Sequence, residues 1–251
     1  MLISTNELFN YCLMLADDRL ILSHRLSQQC GHGPYLEEDI ALTNIALDLL
    51  GQANEIYTYA GTLENKSADE LAYLRTDTQF KNVIISELEN DDFAWIIARQ
   101  FFFDISAYHL YTELLKSKDE TLAAIAEKSL KEVTYHLRHS KKWFHILADG
   151  TDESRNKLTD AIDDLWSYTF ELFETNPTID SLVKQGIAAD LKIVKEKWLK
   201  DINENFAILN LTVPENTWMH SGGRVGKHSE HLGRILTEMQ YLQRSFPNAA
   251  W

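Results

Sequence analysis

Four acids occupy places where charge is not needed for solubility. Asp17 has Leu13 and Met14 one turn before it and Leu20 and Ile21 one turn after. Asp48 lies within Ile45-Ala-Leu-Asp48-Leu-Leu50, Asp104 within Phe101-Phe-Phe-Asp104-Ile105, and Glu132 within Leu130-Lys-Glu132-Val-Thr-Tyr-His136. A carboxylate on an apolar helix face is costly unless it is paired, hydrogen-bonded or bound to a metal. One such acid on each of four successive helical stretches is a pattern that asks for a common explanation.

A di-iron carboxylate bundle is such an explanation. Its site takes a Glu from each of two helices and a Glu-x-x-His pair from each of the other two, the i, i+3 spacing placing carboxylate and imidazole on one face. Against that template the second helix offers Asp48-x-x-Gly51 and the fourth Glu132-x-x-Tyr135, with His136 one step further round. The first and third helices supply Asp17 and Asp104, each one carbon shorter than Glu. Both imidazole positions read as lost, so Asp17, Asp48, Asp104, Glu132 and His136 are expected to be vestiges. No catalytic, cofactor-binding or metal-binding residue is expected in this chain. Three readings of the acids stay open. They pair with neighbours such as His24, Arg99, His109 or Arg138, as buried polar groups usually do. Alternatively, Glu132 and His136, with His139 or Asp48, hold a single metal, since i, i+4 spacing also keeps ligands on one face. The third is an intact di-iron centre. His32, His145, His220, His228 and His231 fall near helix ends or loops and read as surface or interface groups. No nucleophile motif, phosphate loop or zinc signature is present.

The elements that must position these residues are helices. The four prolines leave long uninterrupted intervals. A first helix is predicted over about 6–29, ended by Cys30-Gly-His-Gly-Pro34. A second runs from about Tyr35 to Ala60, with Glu37, Glu38 and Asp39 at the favourable end of its dipole. Residues 61–90 read as a long crossover with short helical pieces, which ferritin-like bundles need between their second and third helices. A third helix is predicted over about 91–116, capped by Asn90-Asp-Asp92, and a fourth from Asp119 to Leu147, stopped by Gly150. Further helices are expected over 152–174, 188–208 and 226–246. Nothing has strand period or a solenoid repeat. The expected fold is one all-α, ferritin-like domain over 1–251, a core bundle of about 6–148 followed by a helical extension of about 151–251.

Composition narrows the function. A formal charge of −14 disfavours nucleic acid or an anionic membrane as partner. No apolar run is long enough for a membrane span, and Met1–Glu7 lacks the basic flank and apolar stretch of a signal peptide, so a cytoplasmic location is expected. Cys12 and Cys30, about 27 Å apart along one helix, cannot bridge each other. Lysines and arginines gather late, at Lys184, Lys192, Lys195, Lys197 and Lys200, then Arg224, Lys227, Arg234 and Arg244. They read as solvated faces or as a docking surface for a partner or an anionic cofactor tail. The loop Gly222-Gly-Arg224 with Lys227 reads first as an ordinary solvated loop, with a phosphate cradle, whose residue types it has, as the alternative.

Longer stretches are familiar together: Cys30-Gly-His-Gly-Pro-Tyr-Leu-Glu-Glu-Asp39, Ala46-Leu-Asp48-Leu-Leu-Gly-Gln-Ala53, Ile97-Ala-Arg-Gln100-Phe-Phe-Phe-Asp104, Lys131-Glu-Val-Thr-Tyr-His-Leu-Arg138, Gly226-Lys-His-Ser-Glu-His-Leu-Gly233 and Glu238-Met-Gln-Tyr-Leu-Gln-Arg244, with Trp251 at the end. The chain resembles the C-subunit family of bacterial ring-1,2-phenylacetyl-CoA epoxidases, multicomponent di-iron monooxygenases of phenylacetate breakdown. The resemblance spans nearly the whole chain. It implies a structural, non-catalytic ferritin-like subunit paired with a homologous catalytic A subunit that holds the di-iron centre and binds phenylacetyl-CoA. Other subunits, with FAD and iron–sulfur groups, deliver electrons from NADPH. Trp95, Phe101, Phe102, Tyr108 and Tyr111 are then expected in the core or at the partner interface, core being the usual outcome at helical spacing. Helices 1 to 3 are expected to build most of the contact, and the chain purified alone to self-associate. The rival expectation is a free-standing ferritin-like metalloprotein with an atypical site.

Overall fold

A computed structural model describes residues 5–215, 218–247 and 249. The start of the stretch read for a signal peptide, residues 1–4, and Trp251 lie outside them. Among the described residues the chain is all-α, of the ferritin-like class, with nine α-helices, short 3₁₀ turns and no strand. None of these helices is long and apolar enough to cross a membrane. The chain divides into two compact units, residues 1–89 with 221–251, and residues 90–220. The division does not follow the expected seam near residue 150.

The first unit is built on the pair α1 (Thr5–Ser27) and α2 (Leu36–Glu64). From Leu8 to Leu26, α1 is buried almost all round, which its run of apolar residues permits. By contrast α2 is buried on one stripe, Leu42, Ile45, Leu49, Ala53, Ile56, Tyr57 and Ala60, at the helical period. Asn65 stops it in the left-handed conformation. The expected crossover is present as α3 (Ala68–Tyr73), opened by a Ser67/Glu70 capping box, and two 3₁₀ turns at Asp77–Gln79 and Ile84–Ser86. After residue 220 the chain returns to this unit and ends in α9 (Glu230–Ser245). There Gln240 Nε2 donates to the carbonyls of Ala72 at 3.1 Å and Arg75 at 3.0 Å.

The second unit holds α4 (Phe93–Leu114), α5 (Glu120–Asp149), α6 (Asp152–Thr169), α7 (Pro177–Gln185) and α8 (Leu191–Leu209). Asp92 caps α4 by accepting from the Trp95 N–H, and Asp119 caps α5 through that of Leu122. On α5 the buried residues recur every three or four positions: Leu122, Ala126, Ser129, Val133, His136, Ser140, Phe144 and Ala148. Aromatic rings fill the interior, with Phe101 stacked on Phe144 at 4.3 Å between centroids and the Trp198 Nε1–H donating to the Phe102 carbonyl at 2.9 Å. Trp95, Phe101, Phe102 and Tyr111 are buried and Tyr108 half-buried, so these rings serve the core. Helix α7 lies outside the expected elements, since Pro177 suggests a break. Asn176 caps it and the proline takes the first helical position, where its missing N–H costs nothing.

Candidate functional site

In the first unit, Asp17 is fully enclosed by donors. Its Oδ1 accepts from the Tyr57 hydroxyl and from Arg75 Nη2, and its Oδ2 from Arg75 Nη1 at 3.0 Å and the Lys81 N–H at 2.7 Å. Arg75 closes the network. Its Nε reaches the Leu71 carbonyl, Nη1 also reaches that of Gln79, Nη2 also touches the Tyr57 oxygen, and the Phe80 ring lies 4.2 Å away. All five guanidinium N–H groups thus have an acceptor. Burial pushes the Tyr57 phenol well above its ordinary range, and the neighbouring Asp17 charge pushes it further. Burial pulls the Arg75 guanidinium down, but Asp17 outweighs that and leaves it raised. A buried cation already sits on the Asp17 carboxylate, through paired N–H···O bonds.

In the second unit, Asp104 on α4 meets the polar residues of the buried face of α5. Gln100 Nε2 donates to its Oδ1 and Ser140 Oγ to its Oδ2, each at 2.7 Å. Burial raises its carboxyl to about 6, opposed by the nearby His136 and by the two hydrogen bonds. His136 is fully buried on the same face. The structure therefore brings Asp104 and His136 into one polar cluster, held by hydrogen bonds rather than by a salt bridge to arginine.

The other positions fall differently. Asp48 and Glu132 are only half-buried, while Gly51 and Tyr135, read as standing where histidines belong, are exposed. The buried faces carry Leu49-x-x-Gln52 on α2 and Val133-x-x-His136 on α5 at the i, i+3 spacing. In sequence the nearest acid suggests the register, and in both helices that acid lies beside the buried stripe. His136 is the imidazole on the buried face of α5, and apolar Val133 stands three residues before it. Among the described residues, no three His, Cys, Asp or Glu side chains gather closely enough to hold a metal ion.

The basic residues expected near the acids make contacts of their own. Arg99 Nη2 donates to Asn90 at 2.6 Å, His109 Nε2 lies 2.7 Å from Asp201, and Arg138 sits 5.4 Å from the Tyr135 ring centroid. Burial lowers the His24 imidazole. Arg75 escapes a sequence reading because it lies on the crossover, 58 residues beyond Asp17, where no helical spacing links them.

Two further networks have no signal in the sequence, and both tie the returning 221–229 segment into the first unit. Arg224 grips Asp18 with Nη1 and Nη2, each at 2.9 Å, and its Nη1 also reaches the carbonyls of Met14 and Lys81. Gly226 seats this loop at a φ of +79°, where an added Cβ would stand 2.2 Å from the Thr78 carbonyl oxygen, so only glycine fits. Arg224, read as part of a solvated loop or of a phosphate cradle, has its guanidinium engaged on Asp18 as a structural pin, while Lys227 is exposed. Arg224→Ala should lower the unfolding free energy by about 2–4 kcal/mol, leaving Asp18 short of its counter-ion. Lys227→Ala should stay within about 0.5 kcal/mol. Urea denaturation of both variants checks the contrast. His228, expected as a surface or interface group, has a buried side chain: its Nδ1 lies 2.8 Å from Glu87 Oε2 and its Nε2 3.0 Å from the Phe80 carbonyl oxygen. Oxygens thus face both ring nitrogens, one from the Glu87 carboxylate and one from the backbone.

The family model described as "Phenylacetic acid catabolic protein" matches residues 3–251. Among curated proteins, the C subunit of the 1,2-phenylacetyl-CoA epoxidase of Escherichia coli (strain K12) is 44% identical over 247 residues, covering 98% of this chain and 100% of that protein.

Proposed function

The chain belongs to the phenylacetic acid catabolic protein family, and from that premise we propose that it is the structural, non-catalytic C-type subunit of a multicomponent phenylacetyl-CoA 1,2-epoxidase. In this reading the whole chain acts as one ferritin-like domain in the cytoplasm. It supports a homologous catalytic A subunit that carries the di-iron centre and the acyl-CoA, while reductase components supply electrons. The observation that carries the reading is the Arg75 guanidinium seated on Asp17. A metal ligand must offer free oxygen lone pairs, and both Asp17 oxygens already accept from Arg75, Tyr57 and the Lys81 N–H. The Asp104 oxygens each accept one bond, from Gln100 and from Ser140. Leu49 and Val133, where the buried i, i+3 pairs would need acids, have no donor atom to offer. This donor set does not fit a di-iron centre, and no chemical step is assigned to these residues.

What the chain contributes is shape. Arg75 fixes the crossover against α1 and α2, and Arg224 fixes the returning segment against α1, so helix faces stay rigid without a metal to tie them. The chain expressed alone in iron-rich medium should contain far less than one iron or manganese per molecule by elemental analysis. Epoxidation of phenylacetyl-CoA should appear only once the A subunit and the reductase are added. Near-stoichiometric metal in the isolated chain would sink this reading and favour the free-standing metalloprotein.

A further inference from the structure

Helix α5 buries one face and turns the other to solvent, and the outer face has a charge of its own. The buried residues from Ser129 to Phe144 set the inner stripe. Opposite them, the exposed residues from Lys128 to Lys142 are Lys128, Lys131, Thr134, Tyr135, Arg138, Lys141 and Lys142. Five of these seven are cations and none is an acid, in a chain with 38 acids against 24 lysines and arginines. Glu132 is the one acid in this stretch of sequence, and it is half-buried. Lys128, Lys131, Tyr135, Arg138 and Lys142 follow one another at alternating steps of three and four, so they form a row along one side of the helix. The row is about 21 Å long at 1.5 Å per residue.

The fold itself leaves most of these charges unused. Arg138, Lys141 and Lys142 form no ion pair among the described residues, and Arg138 lies over the Tyr135 ring, 5.4 Å from its centroid. Lys131 pairs with Glu127 one turn back, at 3.8 Å between side chains 77% and 71% exposed, a contact worth little in water. A solvated face in so acidic a protein would interleave Glu with Lys, as α8 does at Lys200 and Glu204.

We propose that this face of α5 docks an acidic helix of another protein, whose Asp and Glu side chains, three and four residues apart, meet Lys128, Lys131, Arg138 and Lys142. This surface lies outside the subunit reading above and does not depend on it. The row is too long for any single phosphate or carboxylate. It offers one cation about every 5 Å, which is the spacing of acids three or four residues apart on a helix. Duplex nucleic acid presents one phosphate about every 1.7 Å of its axis, denser than the row. It would also run on past the row over Asp160, Asp163 and Asp164, exposed on the neighbouring α6. Those aspartates make a second copy of this chain the competing occupant. A copy, however, brings its whole formal charge of −14 to the encounter, whereas an acidic helix brings only its own few carboxylates. Exposed charges favour rapid, salt-sensitive encounter over standing affinity, so the contact is a transient one.

The test uses the full chain and fluorescein-labelled, alanine-based helical peptides of about 21 residues. One carries Glu at alternating three- and four-residue steps, and the other Gln at the same places. Titration should raise the anisotropy of the Glu peptide alone, with affinity falling at least about fivefold between about 50 and 200 mM salt. Lys131→Glu/Arg138→Glu/Lys142→Glu should weaken that binding at least about a hundredfold. Its melting temperature should stay close to the parent's, because all three sites are exposed. The charge-preserving Lys131→Arg/Arg138→Lys/Lys142→Arg should bind as the parent does. Lys66→Glu/Lys192→Glu/Lys227→Glu, at three exposed sites off this face, makes the same change in net charge and should stay within about threefold of the parent. If the parent does not bind the Glu peptide, or if the row and the scattered variants weaken it alike, the proposal falls. It falls too if a DNA duplex of about two turns binds the row more tightly than the peptide, or if the row variant loses only self-association of the chain. None of these results touches the metal content or the epoxidase activity by which the subunit reading is judged.

Discussion

Asp17→Asn is expected to lower the unfolding free energy by about 3–5 kcal/mol, the usual cost of removing one member of a buried ion pair. The loss comes less from the missing attraction than from what stays behind. Arg75 has a side chain only 10% exposed, and its guanidinium cannot neutralise itself by losing a proton. The amide of an asparagine would also turn an N–H toward either Arg75 or the Lys81 N–H, donor against donor. Urea denaturation measures the effect as a lower midpoint at constant slope. The double variant Asp17→Asn/Arg75→Met should recover part of the loss, because a pair removed together leaves no orphan charge. A single-variant change below about 1 kcal/mol would show that Asp17 is not held by this pair, and would take with it the argument that its oxygens are unavailable to a metal. Raising the pH to 9 should not rescue the variant, since a guanidinium keeps its proton at that pH even when its counter-ion is gone.

The helices were legible because their signals are local. The caps at Asp92 and Asp119, the stop at Gly150 and the period of α5 are written within a few residues of where they act. The four acids were legible as anomalies for the same reason: Asp17 and Asp104 are indeed fully enclosed. Their partners were not legible. Arg75 reaches Asp17 from a crossover with no periodicity, and Arg224 reaches Asp18 from a loop 206 residues away, pairings that only the tertiary fold specifies. The acids of α2 and α5 differ from those of α1 and α4 for a sharper reason. An acid draws the eye, but burial follows the stripe, and on α2 and α5 the stripe passes through Leu49, Gln52, Val133 and His136. Leu49 and Val133, three residues before Gln52 and His136, look in sequence like any other core. The same periodicity hid the exposure of Leu47 and Leu50, which beside Asp48 read as its buried setting.

Asp104→Asn should do the opposite of Asp17→Asn and stabilise the chain at neutral pH. The Asp104 carboxyl titrates at about 6 in the fold, above its ordinary 3.8, so the fold favours the protonated form. Its contribution to stability is complete below about pH 4, is lost as the pH rises through about 6, and leaves a cost of about 3 kcal/mol once the group is ionised. An asparagine keeps the useful geometry. Its oxygen still accepts from Gln100, and its amide donates to the Ser140 hydroxyl, which then turns its own proton elsewhere. Denaturation at pH 8 should show a gain of about 2–3 kcal/mol over the parent, shrinking to near zero at pH 4. A loss at pH 8 would mean that the anion is needed at this place, and that the fold does not favour the protonated carboxyl. The two substitutions separate what the sequence presents as one pattern. An acid held by a buried arginine has become part of the frame, whereas an acid held only by Gln100 and Ser140 remains a strain that the rest of the fold absorbs.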